Sequence, residues 1–591
     1  MRQHLIEAAR SKKLDRIALG YAVGAWAVVQ AVSIVAPTFY WPQWVLQAVI
    51  IIALLGLPVA LIAGWMLGVR DNTTGVLRPS RADYQILMAL GLFLTIAAPI
   101  FAWSFWPRSS PSTIQDLSVL PPANSLAVLP FANLSGNPDK RYFSEGISDE
   151  LINRLAQVPS LRVAARTSSF TFEDRRMDAK AIARALNVRA ILEGSVREAG
   201  NRVRIAAQLV NGADGFQMWS QSYERELTDV LALQDEIARS VAAALTAKLL
   251  PAPGNPHSVD AEAYRLYLQG KFYVTQGNKD DLQRAVTLLA QATQRAPNFA
   301  DGLAMLGNAE VLLDYNYSDA RSVTNAEQLL RRALALDPKN MTALKAVTDL
   351  STVTWRWQDL LKYARTIFAI NPDSYESLLV RSGVADVFGF IKESSRADEA
   401  ASKLDPLSLV SKFNLAAGYR WQHKYGDAAR YVQEALVLNP SDPDARNLQC
   451  LIEIDRGNLA KAKQLSGLLP KAGGDQNMLG CSFDLTIAEG NLAAARRMVA
   501  RAAADVEKNG GSNTDIGDSY LKVGDFDNAM KWYRRAYDAR ERYVLGVPRL
   551  APPGRRAFFQ RPEWKTLWNS PPVREWEAAR GDAAKILGIV R

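Results

Sequence analysis

Histidine and cysteine are scarce in this sequence, and their scarcity excludes several kinds of chemistry. Among 591 residues there are three histidines and two cysteines. Cys450 and Cys481 are too few for a disulfide scaffold and show no CxxC spacing for zinc or redox work. His4, His257 and His423 lie far apart and in no ligand-spaced motif, so no metal site is expected.

Catalytic motifs are missing as well. The sequence contains no Walker loop, dinucleotide fingerprint, GxSxG elbow or HExxH helix. The serine of Leu192-Glu-Gly-Ser-Val196 has no histidine near it in sequence, because none lies between His4 and His257. The sequence therefore predicts no catalytic residue, no cofactor and no small-molecule substrate.

Charge is absent from residues 17–69, where the run is broken once by a turn at 37–42. The segments 17–36 and 43–69 each supply the ~20 apolar residues that cross a bilayer as a helix, and 85–106 supplies a third. The sequence predicts three transmembrane helices within 17–107, which makes the membrane one expected partner.

Basic residues flank these segments unevenly. Arg2, Arg10, Lys12, Lys13 and Arg16 precede the first segment, and three arginines lie between the second and third. The positive-inside rule then predicts a bacterial inner-membrane protein with a cytoplasmic tail at 1–16 and periplasmic residues after 107. A re-entrant segment in place of one span would reverse this orientation.

The remaining charge is balanced. The formal net charge is +10, but 70 basic residues face 60 acidic ones without a long run of one sign after the apolar segments. We therefore expect no nucleic-acid partner.

Residues 108–123 are rich in Pro and Ser and indicate a linker. Alternating apolar runs and helical patterns then predict a small α/β layer, closed by a helix at 230–249. Four motifs occur in order: Ser125-Leu-Ala-Val-Leu-Pro-Phe-Ala-Asn-Leu-Ser-Gly136, Phe143-Ser-Glu-Gly-Ile-Ser-Asp149, Leu192-Glu-Gly-Ser-Val196 and Leu233-Gln-Asp-Glu236. They make residues 124–250 resemble the TolB-like amino-terminal domain.

In that family the resemblance implies tetratricopeptide repeats after the domain, and a membrane segment plus a cytoplasmic effector before it. The effector is a winged-helix DNA-binding domain or an adenylate cyclase domain. The sixteen residues that precede the first apolar segment are too few for either. We therefore expect no transcriptional or cyclase activity in this chain.

A 34-residue period governs the rest of the sequence. Pro338, Pro372, Pro406 and Pro440 are each 34 residues apart, and each follows Asp or Asn. This period is typical of tetratricopeptide repeats and predicts about eight of them, forming an all-α solenoid over 259–542. Residues 543–591 break the rhythm and are expected to form a C-terminal cap.

Such an array offers a concave groove that binds chains. The register of the family places these first-helix residues on the groove: Lys345, Asp349, Glu376, Asp386, Phe413, Arg420, Trp421 and Asp518. Mixed charge with aromatic anchors favours a protein or peptide partner. The alternative is that Phe413 and Trp421 pack against adjacent helices.

The two cysteines have two readings as well. Cys450 and Cys481 lie on first helices of adjacent repeats, so a disulfide is one alternative. Two buried apolar cysteines are the other, and the different phases of the pair in their repeats favour it.

The predicted fold class is therefore multidomain, with three transmembrane helices, a small α/β TolB-like domain and an all-α repeat solenoid. The predicted function is a periplasm-facing, membrane-anchored scaffold that binds a protein in its groove. A signal-sensing protein read by a separate cytoplasmic partner, and an accessory subunit of an envelope enzyme complex, are the alternatives.

Overall fold

The computed structural model describes residues 21–30, 32, 121–159, 161–173, 177–246, 258–317, 322–469, 479–541, 544–546 and 557–590. The chain divides into two compact units, Met1–Val119 and Leu120–Arg591. In the first unit, residues 21–30 form a helix. The predicted tail at 1–16 and most of the predicted linker at 108–123 lie outside the described residues.

The predicted membrane spans need correction. Across the described parts of the chain, no helix combines the length and the apolar character needed to cross a bilayer. The prediction of three transmembrane helices, and with it the inner-membrane location, is therefore wrong by this finding. The rest of the first predicted span and all of the second and third lie outside the described residues.

The second unit begins with a mixed sheet. Its strands are β1 (Ser125–Val128), β2 (Ala132–Asn133), β3 (Arg162–Val163), β4 (Ala190–Ala199), β5 (Arg202–Asn211) and β6 (Gln217–Glu226). They lie in the order β3-β1-β4-β5-β6, with β2 beside β4. The strands β1, β2 and β3 make parallel pairs, and β4, β5 and β6 form an antiparallel meander. Gly200, with φ of +61°, turns the chain between β4 and β5.

Four helices accompany this sheet: α1 (Arg141–Ala156), α2 (Arg166–Phe170), α3 (Ala179–Leu186) and α4 (Val230–Thr246). Alternate residues of a strand point to opposite faces, so Leu126 packs in one core with α1 and α4, while Ala127 packs in another with α3. Both faces of β1 are therefore buried, as a parallel strand requires.

Sixteen helices follow within the described residues and form eight successive pairs. They are α5 (Ala261–Gln276), α6 (Lys279–Arg295), α7 (Ala300–Tyr317), α8 (Ser322–Leu336), α9 (Met341–Val353), α10 (Trp357–Ile370), α11 (Tyr375–Val387), α12 (Ile391–Leu404), α13 (Leu409–Trp421), α14 (Tyr425–Leu438), α15 (Pro443–Asp455), α16 (Leu459–Ser466), α17 (Cys481–Ala488), α18 (Leu492–Asn509), α19 (Asn513–Lys522) and α20 (Phe526–Asp538).

The period of the sequence is visible in the helix caps. Asn340, Ser374, Ser408 and Asp442 are 34 residues apart, and the side chain of each accepts a hydrogen bond from the backbone N–H three residues later. Each cap satisfies a donor that the helix start leaves free. The repeated Asp/Asn-Pro turn and the cap that follows it therefore start each first helix at the same phase.

The end of the chain folds back on the array. The helices α21 (Pro562–Trp568) and α22 (Pro571–Ile586) share one hydrophobic core with α10, α11 and the last repeats. The Trp576 side chain is fully buried, and its indole N–H donates to the Val387 carbonyl at 3.3 Å. Arg580 Nε donates to the Phe388 carbonyl at 2.9 Å. The third and fourth helix pairs are thereby tied to the C-terminal segment.

Candidate functional site

The helix α1 lies against α5, the first helix of the first repeat, and shares a hydrophobic core with α7 of the second. Its Asp149 carboxylate is 2.9 Å from Lys271 Nζ on α5, and Glu150 also pairs with Lys271. Tyr267 donates its hydroxyl to Glu150 at 2.5 Å. Burial alone would lower the pKa of Lys271, but the two carboxylates raise it above its usual value. These charges are buried as a compensated cluster.

Three further charged residues extend this cluster. Arg154 on α1 pairs with Asp235 on α4, and its positive charge also acts on Asp301 at the start of α7. Burial, with the negative charge of Glu150 added, raises the pKa of Asp301 to about 6, although Arg154 opposes the shift. The α/β layer is thus joined electrostatically to the first two repeats.

The third and fourth repeats hold the same layer through the residues that precede their prolines. Asn371 donates its side-chain amide to the Ala156 carbonyl at 2.7 Å. Asp405, fully buried, accepts from the backbone N–H and the hydroxyl of Ser168 at 3.1 and 2.6 Å. The Ala165 N–H donates to the Leu404 carbonyl at 2.7 Å. Four successive repeats therefore contact the α/β layer.

Four of the predicted groove residues lie in the third and fourth repeats. Lys345 and Asp349 pair with each other at 2.9 Å along α9. Glu376 on α11 carries a buried Oε2 that has no hydrogen-bond partner among the described residues. Burial, together with the charge of Asp149, raises the pKa of Glu376. Burial raises the pKa of Asp398 to about 6, and the negative charge of Asp386 adds to this shift. In this part of the array the charge of Asp149 on α1 acts on Glu376 of the groove row.

The fifth repeat places its predicted residues differently. Trp421, at the end of α13, is 53% exposed, and Phe413 is half-buried. Arg420 Nε lies 2.6 Å from Asp455 Oδ2 on α15, which links the first helices of two adjacent repeats. Val410, which lies 34 residues after Glu376 and so continues the same row, is 64% exposed.

These residues form one surface, which we call the α13–α15 face. Its members share a helix side by their spacing of three, four and seven residues: Val410, Phe413, Ala417, Arg420 and Trp421 on α13, with Leu451, Ile454 and Asp455 on α15. The cores beneath it are local to the fifth, sixth and seventh repeats and include no residue of α1, α21 or α22. The α13–α15 face is apolar and is crossed by one ion pair.

The other predicted site residues lie elsewhere. Asp518 on α19 accepts a hydrogen bond from the Tyr533 hydroxyl and so serves packing within the last repeat. Cys450 on α15 and Cys481 on α17 are joined in a disulfide, with their Cα atoms 5.8 Å apart. In the described residues, no group of His, Cys, Asp or Glu is arranged to hold a metal ion.

The residues by which the repeats hold the α/β layer were not predicted from the sequence. Lys271, Asn371 and Asp405 have no distinguishing spacing, because every repeat can carry a charge or an Asp/Asn-Pro turn at these places. The sequence of α1 itself contained a signal. Four charged residues lie among its buried apolar residues: Glu145, Asp149, Glu150 and Arg154. Buried charges require partners, so such a helix predicts a charged docking surface.

Comparison with known proteins identifies the type of repeat in two stretches of the chain. Sequence profiles described as tetratricopeptide repeat match residues 414–475 and 511–543. A protein of Rhizobium meliloti (strain 1021) named "Putative adenylate cyclase 3" is 33% identical over 254 residues, which cover 41% of this chain and 43% of that protein. The chain thus matches less than half the length of this curated relative.

Solved structures of repeat proteins are also similar to parts of the chain. The type IV pilus biogenesis factor PilW is 20% identical, with a TM-score of 0.29, over 34% of this chain and 94% of that one. Pseudomonas aeruginosa pilF is 17% identical, with a TM-score of 0.24, over 45% of this chain and 96% of that one. The profile matches, in a chain of stacked helix pairs, identify tetratricopeptide repeats in this protein.

Proposed function

We propose that this protein is a scaffold that binds a partner protein through the α13–α15 face. Tetratricopeptide repeats support a protein or peptide partner. The observation that carries the proposal is the exposure of Val410 and Trp421 on a row of first-helix positions. In the fourth repeat, Glu376 of the same row is buried in the electrostatic field of Asp149 on α1.

The chemistry of this face favours an apolar segment of the partner. Four apolar side chains of α13 and two of α15 accompany the Arg420–Asp455 ion pair, so a charged ligand would find few unpaired groups. A large aromatic residue such as Trp421 provides much of the binding energy at an interface when a partner desolvates it. We infer that the partner inserts an apolar side chain beside Trp421.

Residues 124–250 have a separate role in this proposal. We infer that they form a TolB-like domain, which occupies the first four repeats as a permanent ligand and leaves the fifth and sixth for other proteins. The contacts of Lys271, Asn371 and Asp405 support this division. We assign no catalytic step to the chain.

The test uses the full chain and a peptide selected on it from a random displayed library. Because a buried tryptophan is commonly worth 2 kcal/mol or more at an interface, we expect Trp421→Ala to raise the peptide Kd at least about tenfold. Arg420→Ala should have a smaller effect. Fluorescence anisotropy with the labelled peptide measures the Kd, and circular dichroism checks the fold.

Val437→Ala is the matched control, because Val437 is 73% exposed but lies on the second helix α14. Its Kd should equal that of the unaltered chain. An unchanged Kd for Trp421→Ala, or equal losses in both variants, would remove the proposal.

Signalling is a second candidate function, because the similar Rhizobium protein is named as a putative adenylate cyclase. The α/β layer and the repeats would then detect a ligand, and a separate protein would produce the output. A ligand-dependent change in cyclic-nucleotide level would favour this function over scaffolding.

A further inference from the structure

The strand β6 ends the sheet and has an unpaired side. It is ten residues long and pairs only with β5 among the described residues. Apart from Trp219 and Tyr223, its residues are exposed, as is Phe216 just before it. An edge strand of this length offers a row of free N–H and C=O groups to another strand.

The hydrogen-bonding groups that point outward can be identified. The Leu227 N–H donates to the Asn201 carbonyl at 2.7 Å, so residue 227 lies in a hydrogen-bonded pair. Hydrogen-bonded and non-hydrogen-bonded pairs alternate along an antiparallel ladder. The N–H and C=O groups of residues 225, 223, 221 and 219 therefore point toward β5. The backbone groups of Ser220, Ser222 and Glu224 therefore point away from β5, and a register shift between Leu209 and Val210 ends this alternation before Trp219. The Glu224 carbonyl accordingly accepts a hydrogen bond from the guanidinium of Arg225 at 3.0 Å rather than from β5.

Apart from the register shift where Val210 meets Gln217, the edge has few of the features that normally prevent pairing. Residues 216–223 contain no charge, no proline and no glycine. Natural edge strands usually carry such residues, a covering segment or a short length to avoid association. The charges of β6 are confined to its end, at Glu224, Arg225 and Glu226. Most of this edge is therefore suited to strand pairing.

We propose that β6 pairs with β6 of a second copy of this chain, antiparallel about a two-fold axis at Gln221. In this arrangement the charges at 224–226 lie opposite the uncharged residues 216–218, whereas parallel pairing would place like charges together. The opposite edge of the sheet, β3, has only two residues, so head-to-tail sheet extension would form few hydrogen bonds. A symmetric dimer satisfies the outward groups of both strands.

This register predicts specific neighbours. Ser220 forms a hydrogen-bonded pair with Ser222 of the second copy, and Trp219 lies opposite Tyr223 of the second copy. Gln221 faces its own counterpart in a non-hydrogen-bonded pair, where Cα atoms are about 4.5 Å apart. A cysteine at position 221 would therefore be within disulfide distance of its symmetry mate.

The test combines crosslinking with sedimentation of the purified full chain. Under mild oxidation, Gln221→Cys should yield a species of twice the 65.1 kDa chain mass on a non-reducing gel. Ala213→Cys, at an exposed position in the turn before β6, is the control and should not. No dimer band from Gln221→Cys, or equal bands from both variants, would overturn the proposal.

Ser220→Pro supplies a second measurement, because it removes an outward N–H and leaves the bonds to β5 intact. Two symmetric hydrogen bonds are lost, so the dimer Kd from analytical ultracentrifugation should rise about tenfold. Ser220→Ala should leave it unchanged. A chain that is monomeric throughout, or a dimer unaffected by proline while circular dichroism shows native secondary structure, would refute the β6 interface.

Discussion

Asp398 on α12 is a buried carboxyl group whose ionisation affects stability. Burial, reinforced by the charge of Asp386, raises its pKa from 3.8 to about 6, although a hydrogen bond from Ser382 opposes the shift. The folded state therefore binds this proton more tightly than the unfolded chain does. The stabilisation that the proton provides is complete below the unfolded pKa and is lost as pH rises through about 6.

We expect Asp398→Asn, which stays uncharged, to raise the free energy of unfolding by about 1–3 kcal/mol near pH 7.5. Near pH 4 the variant and the unaltered chain should have the same stability, because Asp398 is then protonated as well. Urea denaturation followed by circular dichroism at several pH values measures the difference. A gain that does not depend on pH would contradict this origin.

At the scale of elements, the docking of α1 on α5 depends on charge compensation. Asp149 and Glu150 are buried against Lys271. In contrast, the pair of Lys463 with Glu489, at 3.3 Å, lies on the surface. Removing one partner of a buried group leaves an uncompensated charge, whereas an exposed pair is worth little. The buried pairs of Lys271 therefore contribute more to stability than the exposed pair of Lys463.

We expect Lys271→Met to reduce the free energy of unfolding by about 3–5 kcal/mol. Hydrogen exchange should become faster in α1, and Glu150→Gln should restore part of the loss when combined with Lys271→Met. Lys463→Met is the control and should change stability by less than about 0.5 kcal/mol. Equal effects of the two lysine substitutions would show that the buried cluster contributes no more than a surface pair.

At the scale of the whole second unit, the C-terminal segment determines how much of the array is covered. Trp576 stacks against Phe388 with ring centroids 5.9 Å apart, and Arg540 donates to the Thr354 carbonyl at 3.3 Å. These contacts join the last repeat and the C-terminal helices to the third and fourth repeats. Together with α1, they leave the α13–α15 face as the exposed apolar part of the groove row.

Trp576→Ala should lower the free energy of unfolding by about 3–5 kcal/mol, because it leaves a large cavity in a shared core. Amide exchange should accelerate in α10 and α22 but not in α13 or α14, since those helices belong to a separate cluster. Mass spectrometry of exchanged peptides resolves these regions. Acceleration spread evenly over all repeats would indicate instead that the array unfolds as one unit.

The sequence determined the local structure of the repeats. The 34-residue spacing of the Asp/Asn-Pro turns fixes where each helix pair ends, and the caps at Asn340, Ser374 and Ser408 follow at the same interval. These features depend on residues close together in the chain, so one sequence is sufficient to predict them.

The long charge-free run led to the wrong prediction of three membrane spans. Apolar composition alone predicted three spans, yet helix length is a property of the folded backbone, and in the described residues no helix meets the requirement. The domain boundaries and the binding role of the groove residues stay predictions. The disulfide between Cys450 and Cys481 depended on helix stacking, which their phases in the sequence did not indicate.

Only the tertiary structure decided which part of the groove is open. Glu376 and Val410 are equivalent by their 34-residue spacing, but one lies near Asp149 while the other is exposed. The difference arises because α1 and the C-terminal helices return from distant parts of the chain and cover some repeats. Periodicity specifies a row of equivalent positions, and long-range packing selects the few that remain accessible to a partner.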